Sequence, residues 1–284
     1  MAGETTTSAR PEASAVPEAC STPVPAESPG RVFITGASSG IGAALARRYA
    51  AQGAVLGLVG RRPDALRAVA DALPGQGHRV YPLDIRDRAA LQAAARDFLA
   101  GGPVDRVIAS AGISAGTLTE APEDFAVFQA ILDTNILAMV ATFEPFIPAM
   151  RARRSGVLVG IGSVAGVRGL PGAGAYSASK AAVRAYCESL RVELHGSGVQ
   201  VVTLAPGFIA TPMTARNPYR MPFLMPVDRF ASQAVRAIEA GDRYRVIPWP
   251  MAWVARLLRL VPDALYDAVA ARRKRKPRIG RDPE

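Results

Sequence analysis

The chain has 284 residues, 49% of them apolar, with 34 Lys and Arg against 24 Asp and Glu and only two cysteines, Cys20 and Cys187. That length suits one large α/β domain with a sizeable core, and two cysteines exclude a disulfide framework; no Cys/His cluster points to a metal. The formal charge of +10 is concentrated at one end, where Arg272, Arg273, Lys274, Arg275, Lys276, Arg278 and Arg281 lie close together, so it describes a terminus, not a nucleic-acid groove.

Residues 1–29 are rich in Pro, Ala, Ser, Thr and Glu and read as a disordered tail, because they cannot bury enough apolar surface to offset their ordering entropy. They lack the basic start and apolar stretch of a secretory signal, and Glu4, Glu12, Glu18 and Glu27 disfavour a transit peptide. The sequence shows no uninterrupted apolar run of about 18 residues, so no transmembrane helix is expected, and the expected location is cytoplasmic.

From Arg31 onward, short apolar runs alternate with longer helical patterns, the signature of βαβ units and a parallel sheet. Strands are expected near 31–36, 54–59, 77–82, 104–110, 156–162, 199–205 and 243–247. Helices are expected near 40–52, 63–73, 87–100, 121–151, 174–196, 227–240, 250–260 and 262–272. The segment 207–226 breaks both periodicities and carries four prolines, as an active-site lid would. The organisation is therefore a doubly wound α/β domain over 30–248, lid included, followed by an amphipathic helical extension and basic tail over 249–284.

The first strand runs into Thr35-Gly36-Ala37-Ser38-Ser39-Gly40-Ile41-Gly42. Glycines at this spacing let a backbone approach a pyrophosphate, which then sits on a helix N-terminus. The second strand ends in Gly60-Arg61-Arg62. An NAD site normally has an acidic residue there for the ribose hydroxyls, whereas guanidinium groups suit a 2′-phosphate, so NADP(H) is favoured over NAD(H). Ordinary surface arginines before a helix are the alternative.

Tyr176 and Lys180 stand one helical turn apart, where an ammonium beside a phenol is expected to lower the phenol pKa and make it a general acid. Ser163 follows the fifth strand, at the sheet edge where open α/β folds bind ligands. Asn135 interrupts an apolar helix, at a cost in desolvation unless its amide is bonded, for instance to a water in a proton relay.

With these motifs in view, the chain resembles the short-chain dehydrogenase/reductase family over about residues 31–247. The matching stretches are TGASSGIG (35–42), LDIRD (83–87), Asn135, Ser163, YSASK (176–180) and PGFIAT (206–211). The resemblance implies a single-domain Rossmann-type fold of about seven strands and hydride transfer between a nicotinamide and a carbonyl or secondary alcohol. It assigns Asn135, Ser163, Tyr176 and Lys180 as the catalytic tetrad. It places Gly36, Ser38, Ser39, Gly40, Ile41, Gly42, Arg61, Arg62, Asp84, Ile85, Ala111, Gly112, Tyr176, Lys180, Pro206, Gly207, Ile209 and Thr211 around the cofactor, with Asp84 on adenine and Lys180 also on the nicotinamide ribose. The family's usual Asn-Asn-Ala-Gly is here Ala109-Ser110-Ala111-Gly112; Ser110 is expected to keep one of the asparagine's hydrogen bonds. Homodimers or homotetramers through the helices near 121–151 and 174–196 are also implied.

Beyond that core, Trp249, Trp253, Val254, Leu257, Leu258 and Val261 follow helical spacing with Arg256 and Arg259 beside them. This segment, through residue 281, fits either an anionic membrane surface or packing over the substrate cleft or against a second subunit, with a solvated tail. The lid carries Met213, Tyr219, Met221, Phe223, Leu224 and Met225, suited to an apolar ketone or acyl-type substrate or simply to lid packing. His78 and His195 read as surface histidines. The leading reading is an NADPH-dependent carbonyl reductase; the rivals are an NAD-dependent alcohol dehydrogenase and a non-catalytic NADP(H)-sensing protein.

Overall fold

A computed structural model describes Met1 and residues 30–215, 217–272 and 275–278; the tail expected to be disordered lies, Met1 apart, outside the described residues. Apolar runs with buried side chains form the strands β1 (Arg31–Thr35), β2 (Val55–Gly60), β3 (Arg79–Pro82), β4 (Arg106–Ala109), β5 (Gly156–Ile161) and β6 (Val199–Pro206). Two short strands, β7 (Ile209–Ala210) and β8 (Met225–Pro226), pair with each other at the ends of the lid, and β9 (Tyr244–Ile247) closes the series. The seven-stranded sheet is parallel throughout, in the order β3-β2-β1-β4-β5-β6-β9. The chain reverses its direction of winding between β1 and β4. In open α/β sheets the crevice at such a switch point, outside the carboxyl ends of the strands, receives the ligand.

Helices cover both faces. On one side, α1 (Gly40–Ala51) meets α8 (Val227–Glu239), with α2 (Pro63–Asp71) beside β2 and β3. The α1–α8 contact brings Ala44 and Ala46 into one core cluster with Ala231 and Ala234, small residues that let the helices lie close together, with the Phe230 ring filling the space beside them. On the other side lie α3 (Arg88–Ala100), α4 (Asp124–Leu132), α5 (Ala138–Phe143), α6 (Ile147–Ala152) and α7 (Gly174–Glu193). Their core centres on Phe33, fully buried, whose ring lies 4.9 Å from Phe146, 5.7 Å from Phe98 and 6.0 Å from Tyr81.

The single helix expected over 121–151 is broken. After α4 the backbone widens into a π-helical turn, Asp133–Leu137, and α5 ends before Glu144. Pro145 has no N–H to continue the ladder, and α6 restarts with Pro148 in its first turn. Another correction concerns length: the helical stretch Asp124–Phe143 is, by length and composition, apolar enough to cross a membrane. Here it packs against α3 and α7 and carries Ile131 and Asn135 fully buried.

The extension after β9 forms α9 (Pro250–Leu260) and α10 (Asp263–Ala270). Arg168, on the loop after β5, anchors both. Its guanidinium donates to the Leu258 and Val261 carbonyls at 3.2 and 3.0 Å, pairs with Asp263 at 2.8 Å and lies 4.2 Å above the Tyr266 ring. Lysine or arginine on the last carbonyls of a helix satisfies groups the helix itself cannot.

Candidate active site

The carboxyl ends of the central strands enclose a cavity of about 600 Å³, within the range typical of small-molecule and cofactor sites, ~300–1,000 Å³. Every residue assigned to the cofactor by resemblance lines it, together with Ser163. Asn135 does not; it lies behind the wall, with no exposed surface.

At one end the glycine loop turns sharply. Gly36 has φ +70°, and a Cβ there would lie 2.7 Å from the Ala111 Cα. A Cβ on Gly42 would come within 2.4 Å of the Gly36 carbonyl. Larger residues would push the loop off the start of α1, whose N-terminal amides face the cavity. Arg62 lies across this loop, donating to Ser39 Oγ at 2.9 Å and Ser38 Oγ at 3.3 Å. Gly60 abuts the same serine: a Cβ would lie 3.3 Å from both Ser38 Cβ and Oγ.

Asp84 also borders the cavity, but its carboxylate is already bracketed by Arg86, through the backbone amide at 3.0 Å and a side-chain fork whose shortest contact is 2.7 Å. The Arg86 hydrogen bonds hold its carboxyl below the usual range. Ser110 corrects the sequence expectation. Its hydroxyl is buried without a hydrogen-bond partner, so it keeps none of the asparagine's bonds. Being part of the cavity wall, this orphaned hydroxyl, with the glycine cradle and the Arg62 fork, fits a polar, phosphate-bearing cofactor.

At the other end stand Ser163, Tyr176 and Lys180. The extended backbone at the end of β5 presents Ser163, whose Oγ accepts from Ala165 N at 3.1 Å and whose hydroxyl is near enough to Tyr176 to oppose the rise of its pKa. The short turn after it, Val164–Gly166, packs on α7 because Gly166 has no Cβ: one would lie 2.6 Å from the Lys180 carbonyl carbon. Lys180 Nζ donates to the Ile161 carbonyl at 2.8 Å and lies 5.8 Å from the Tyr176 ring centroid. Burial lowers its pKa to about 8. The expectation that this lysine depresses the tyrosine is not met by the protein alone. Burial pushes the Tyr176 phenol up, and the opposing influence is the Ser163 hydrogen bond.

Asn135 is tied into the framework. Its Oδ1 accepts from Ile113 N at 2.8 Å, and Nδ2 donates to the Ile113 carbonyl at 3.1 Å and Ser179 Oγ at 2.9 Å. Both amide protons are therefore held by protein, which explains the π-turn: the widened helix brings the amide to the loop after β4. A Cβ on Gly112 would lie 3.2 Å from Asn135 Oδ1 and 3.6 Å from Lys180 Nζ, so glycine keeps the space between amide and ammonium open.

The family itself is decided by comparison. Residues 31–220 match the short chain dehydrogenase family. This chain belongs to the short-chain dehydrogenase/reductase family. An uncharacterized oxidoreductase of Myxococcus xanthus is 39% identical over 244 residues, spanning 84% of this chain and 96% of its own. One from Mycobacterium tuberculosis is 38% identical over 245 residues, 83% of this chain and 95% of its own. The crystal structure of a short-chain dehydrogenase from Streptomyces avermitilis superposes with a TM-score of 0.70, over 85% of this chain and 94% of that one; at 23% identity it speaks for the fold. The protein is thus an oxidoreductase that interconverts C–OH and C=O groups with a nicotinamide cofactor.

The remaining sequence expectations for this oxidoreductase divide. Of the apolar lid side chains, Met213 lines the cavity, Met225 is buried in the core, and Phe223 and Leu224 are exposed. His195 is exposed, but His78 is structural: its Nδ1 accepts from Leu56 N at 3.2 Å and its Nε2 contacts the Pro74 carbonyl at 3.0 Å. The basic tail is not wholly solvated. Residues 275–278 return over the loops at Ser114–Gly116 and Gly172, beside Tyr176, which the sequence pattern gave no means of seeing. Gly116 N donates to the Pro277 carbonyl at 2.8 Å, and Arg278 forks onto Asp124 at 2.7 and 3.0 Å.

Proposed function

We propose that this enzyme reduces a carbonyl compound with NADPH, using Tyr176 as the proton donor. The observation that supports the cofactor choice is the end of β2. Gly60 stands where an acidic residue would favour NAD, packed against Ser38, while Arg61 and Arg62 border the cavity and Arg62 reaches the loop serines. Guanidinium groups in that position complement a 2′-phosphate by charge-assisted, paired hydrogen bonds.

The glycine loop and Arg62 would hold the phosphates, and Pro206, Gly207, Ile209 and Thr211 the nicotinamide end. When bound, the reduced nicotinamide supplies a hydride. Ser163 and Tyr176 together hold the substrate oxygen, and Tyr176 Oη delivers the proton as that oxygen gains negative charge. Lys180 would hold the cofactor ribose, and its ammonium lies beside the phenol. Asn135 positions both by locking the loop after β4 onto α7. Met213 and the lid offer an apolar wall, which supports a ketone or acyl-type substrate with an apolar body. Arg61→Ala combined with Arg62→Ala should raise KM for NADPH by about ten-fold or more with little change for NADH, while Tyr176→Phe should abolish turnover. An equal preference for the two cofactors in the native enzyme would remove the basis for choosing NADPH.

Two exposed apolar faces support further parts of this reading. Phe125, Leu137 and Val140 on the α4–α5 stretch and Val192 on α7 are exposed, and we assign them to contact with a second copy of the chain. Light scattering should give a dimer or tetramer, and Leu137→Glu should shift it toward the monomer. Trp249, Trp253, Leu257, Leu260, Leu265 and Val269 are exposed on the extension beside exposed Arg256 and Arg259. They suit peripheral contact with an anionic membrane on its cytoplasmic face. Sedimentation with phosphatidylglycerol vesicles should be lost in a Trp253→Ser, Leu257→Ser variant; sedimentation unchanged by these substitutions would count against that face.

A further inference from the structure

The returning C-terminal strap brings a cation beside Tyr176, at the edge of the cavity. Lys276 Nζ donates to Ser114 Oγ at 2.7 Å and lies 5.5 Å from the Tyr176 ring centroid, a distance similar to that of Lys180. Both ammonium groups therefore lie close to the same phenol ring, but they differ in their partners. Lys180 is fixed by a backbone carbonyl within the fold, whereas Lys276 is held by one hydroxyl. No carboxylate forms an ion pair with Lys276 among the described residues, and burial alone lowers its pKa, to about 8. A partly buried cation without a counter-charge costs free energy, and sites keep such groups where a ligand supplies the missing charge.

The strap is seated by specific features of the fold. Gly116 pairs with Arg278 as a parallel bridge, and a Cβ on Gly116 would lie 2.2 Å from the Lys276 carbonyl oxygen. Gly172, with φ +71°, lies beneath Arg275: a Cβ there would be 3.0 Å from the Arg275 Cβ. The Arg278 fork onto Asp124, with a further contact to Glu123 at 3.1 Å, closes the attachment. Two glycines and an ion-pair cluster thus set the position of Lys276.

Resting on the carbonyl-reductase reading, we propose that Lys276 is a specificity-determining residue that binds an anionic oxyacid group, carboxylate or sulfonate, on the substrate, a few bonds from the carbonyl that Ser163 and Tyr176 hold. The preferred substrate is then an oxo acid, its carbonyl at the Tyr176 hydroxyl and its anion against the Lys276 ammonium and the Ser114 hydroxyl.

The test compares a ladder of 2-, 3- and 4-oxo acids with their methyl esters, using the full-length enzyme and reduced cofactor. The native enzyme should prefer at least one acid to its ester. Lys276→Met should lower the acid-over-ester ratio of kcat/KM by about ten-fold, mostly through KM for the acid, and Lys276→Arg should recover part of it. Gly116→Ala, which keeps the lysine side chain but displaces its backbone, should lower the same ratio. Ester preference in the native enzyme, or an equal loss on acid and ester in Lys276→Met, would overturn the proposal. Absence of turnover with every carbonyl and alcohol would instead overturn the reductase reading. Calorimetric titration with 4-oxopentanoate then decides the anion site by itself: binding that Lys276→Met loses supports it, and no binding, or binding that survives the substitution, rejects it.

Discussion

Replacing Gly160 by alanine would place a methyl group 2.5 Å from the Cys187 sulfur, across the contact between β5 and α7. Cys187 is buried, and a cysteine Sγ has a single torsion by which to retreat. Overpacking of this kind costs ~1–3 kcal/mol, and at ~2–4 °C per kcal/mol for a domain of this size the expected fall in Tm is about 2–12 °C. Cys187→Ala alone leaves a void and costs about 1–2 kcal/mol. In the double variant the new methyl occupies the space the sulfur vacates, so the two effects should not add. A favourable coupling of ~1–3 kcal/mol is expected, making Gly160→Ala/Cys187→Ala more stable than Gly160→Ala. Urea unfolding of all four proteins, followed by circular dichroism, measures the cycle. Turnover should follow it, because β5 delivers both Ser163 and the Ile161 carbonyl that holds Lys180. A Gly160→Ala protein as stable as the native one, or additivity within about 0.5 kcal/mol, would refute the packing argument.

Three other outcomes follow from the same geometry. Phe33→Ala removes a fully buried ring from a cluster with Phe98, Phe146 and Tyr81 and should destabilise by ~3–5 kcal/mol, read from denaturant midpoints. Ser110→Ala deletes a buried hydroxyl that has no partner, so Tm should stay level or rise; a clear fall would show that the hydroxyl is bonded in solution. Lys180 has a folded pKa near 8, below its ordinary value of 10.5, so between these values the unfolded chain binds more protons. Its burial penalty is therefore fully present below pH 8 and fades as pH rises toward 10.5. The difference in Tm between Lys180→Met and the native protein should become steadily less favourable to the variant across that window, and a difference independent of pH would show that the ammonium is not desolvated.

Much of the site was legible in the sequence because its chemistry depends on local spacing. The glycine loop needs glycine where a Cβ would meet backbone at Gly36 and Gly42, and that requirement is written in the order of residues. Tyr176 and Lys180 share a helix face whatever surrounds them, and β5 had to end just before Ser163 for its hydroxyl to reach the sheet edge. The alternation of apolar runs and helical patterns likewise determined a parallel sheet, since only helices covering both faces make such strands useful.

Tertiary structure decided what depends on residues far apart in the chain. The Asn135 amide finds its partners at Ile113 and Ser179, and this long-range tie, with Pro145 and Pro148, breaks a stretch whose periodicity reads as one helix. The sign of the Tyr176 shift is set by burial, which no helix spacing reports. Arg278 meets Asp124, and Lys276 meets Ser114, across more than 150 positions of sequence. Charge counted along the chain gave those cations to a solvated terminus; the folded loops at Gly116 and Gly172, by lacking side chains, leave the room that brings one of them beside Tyr176.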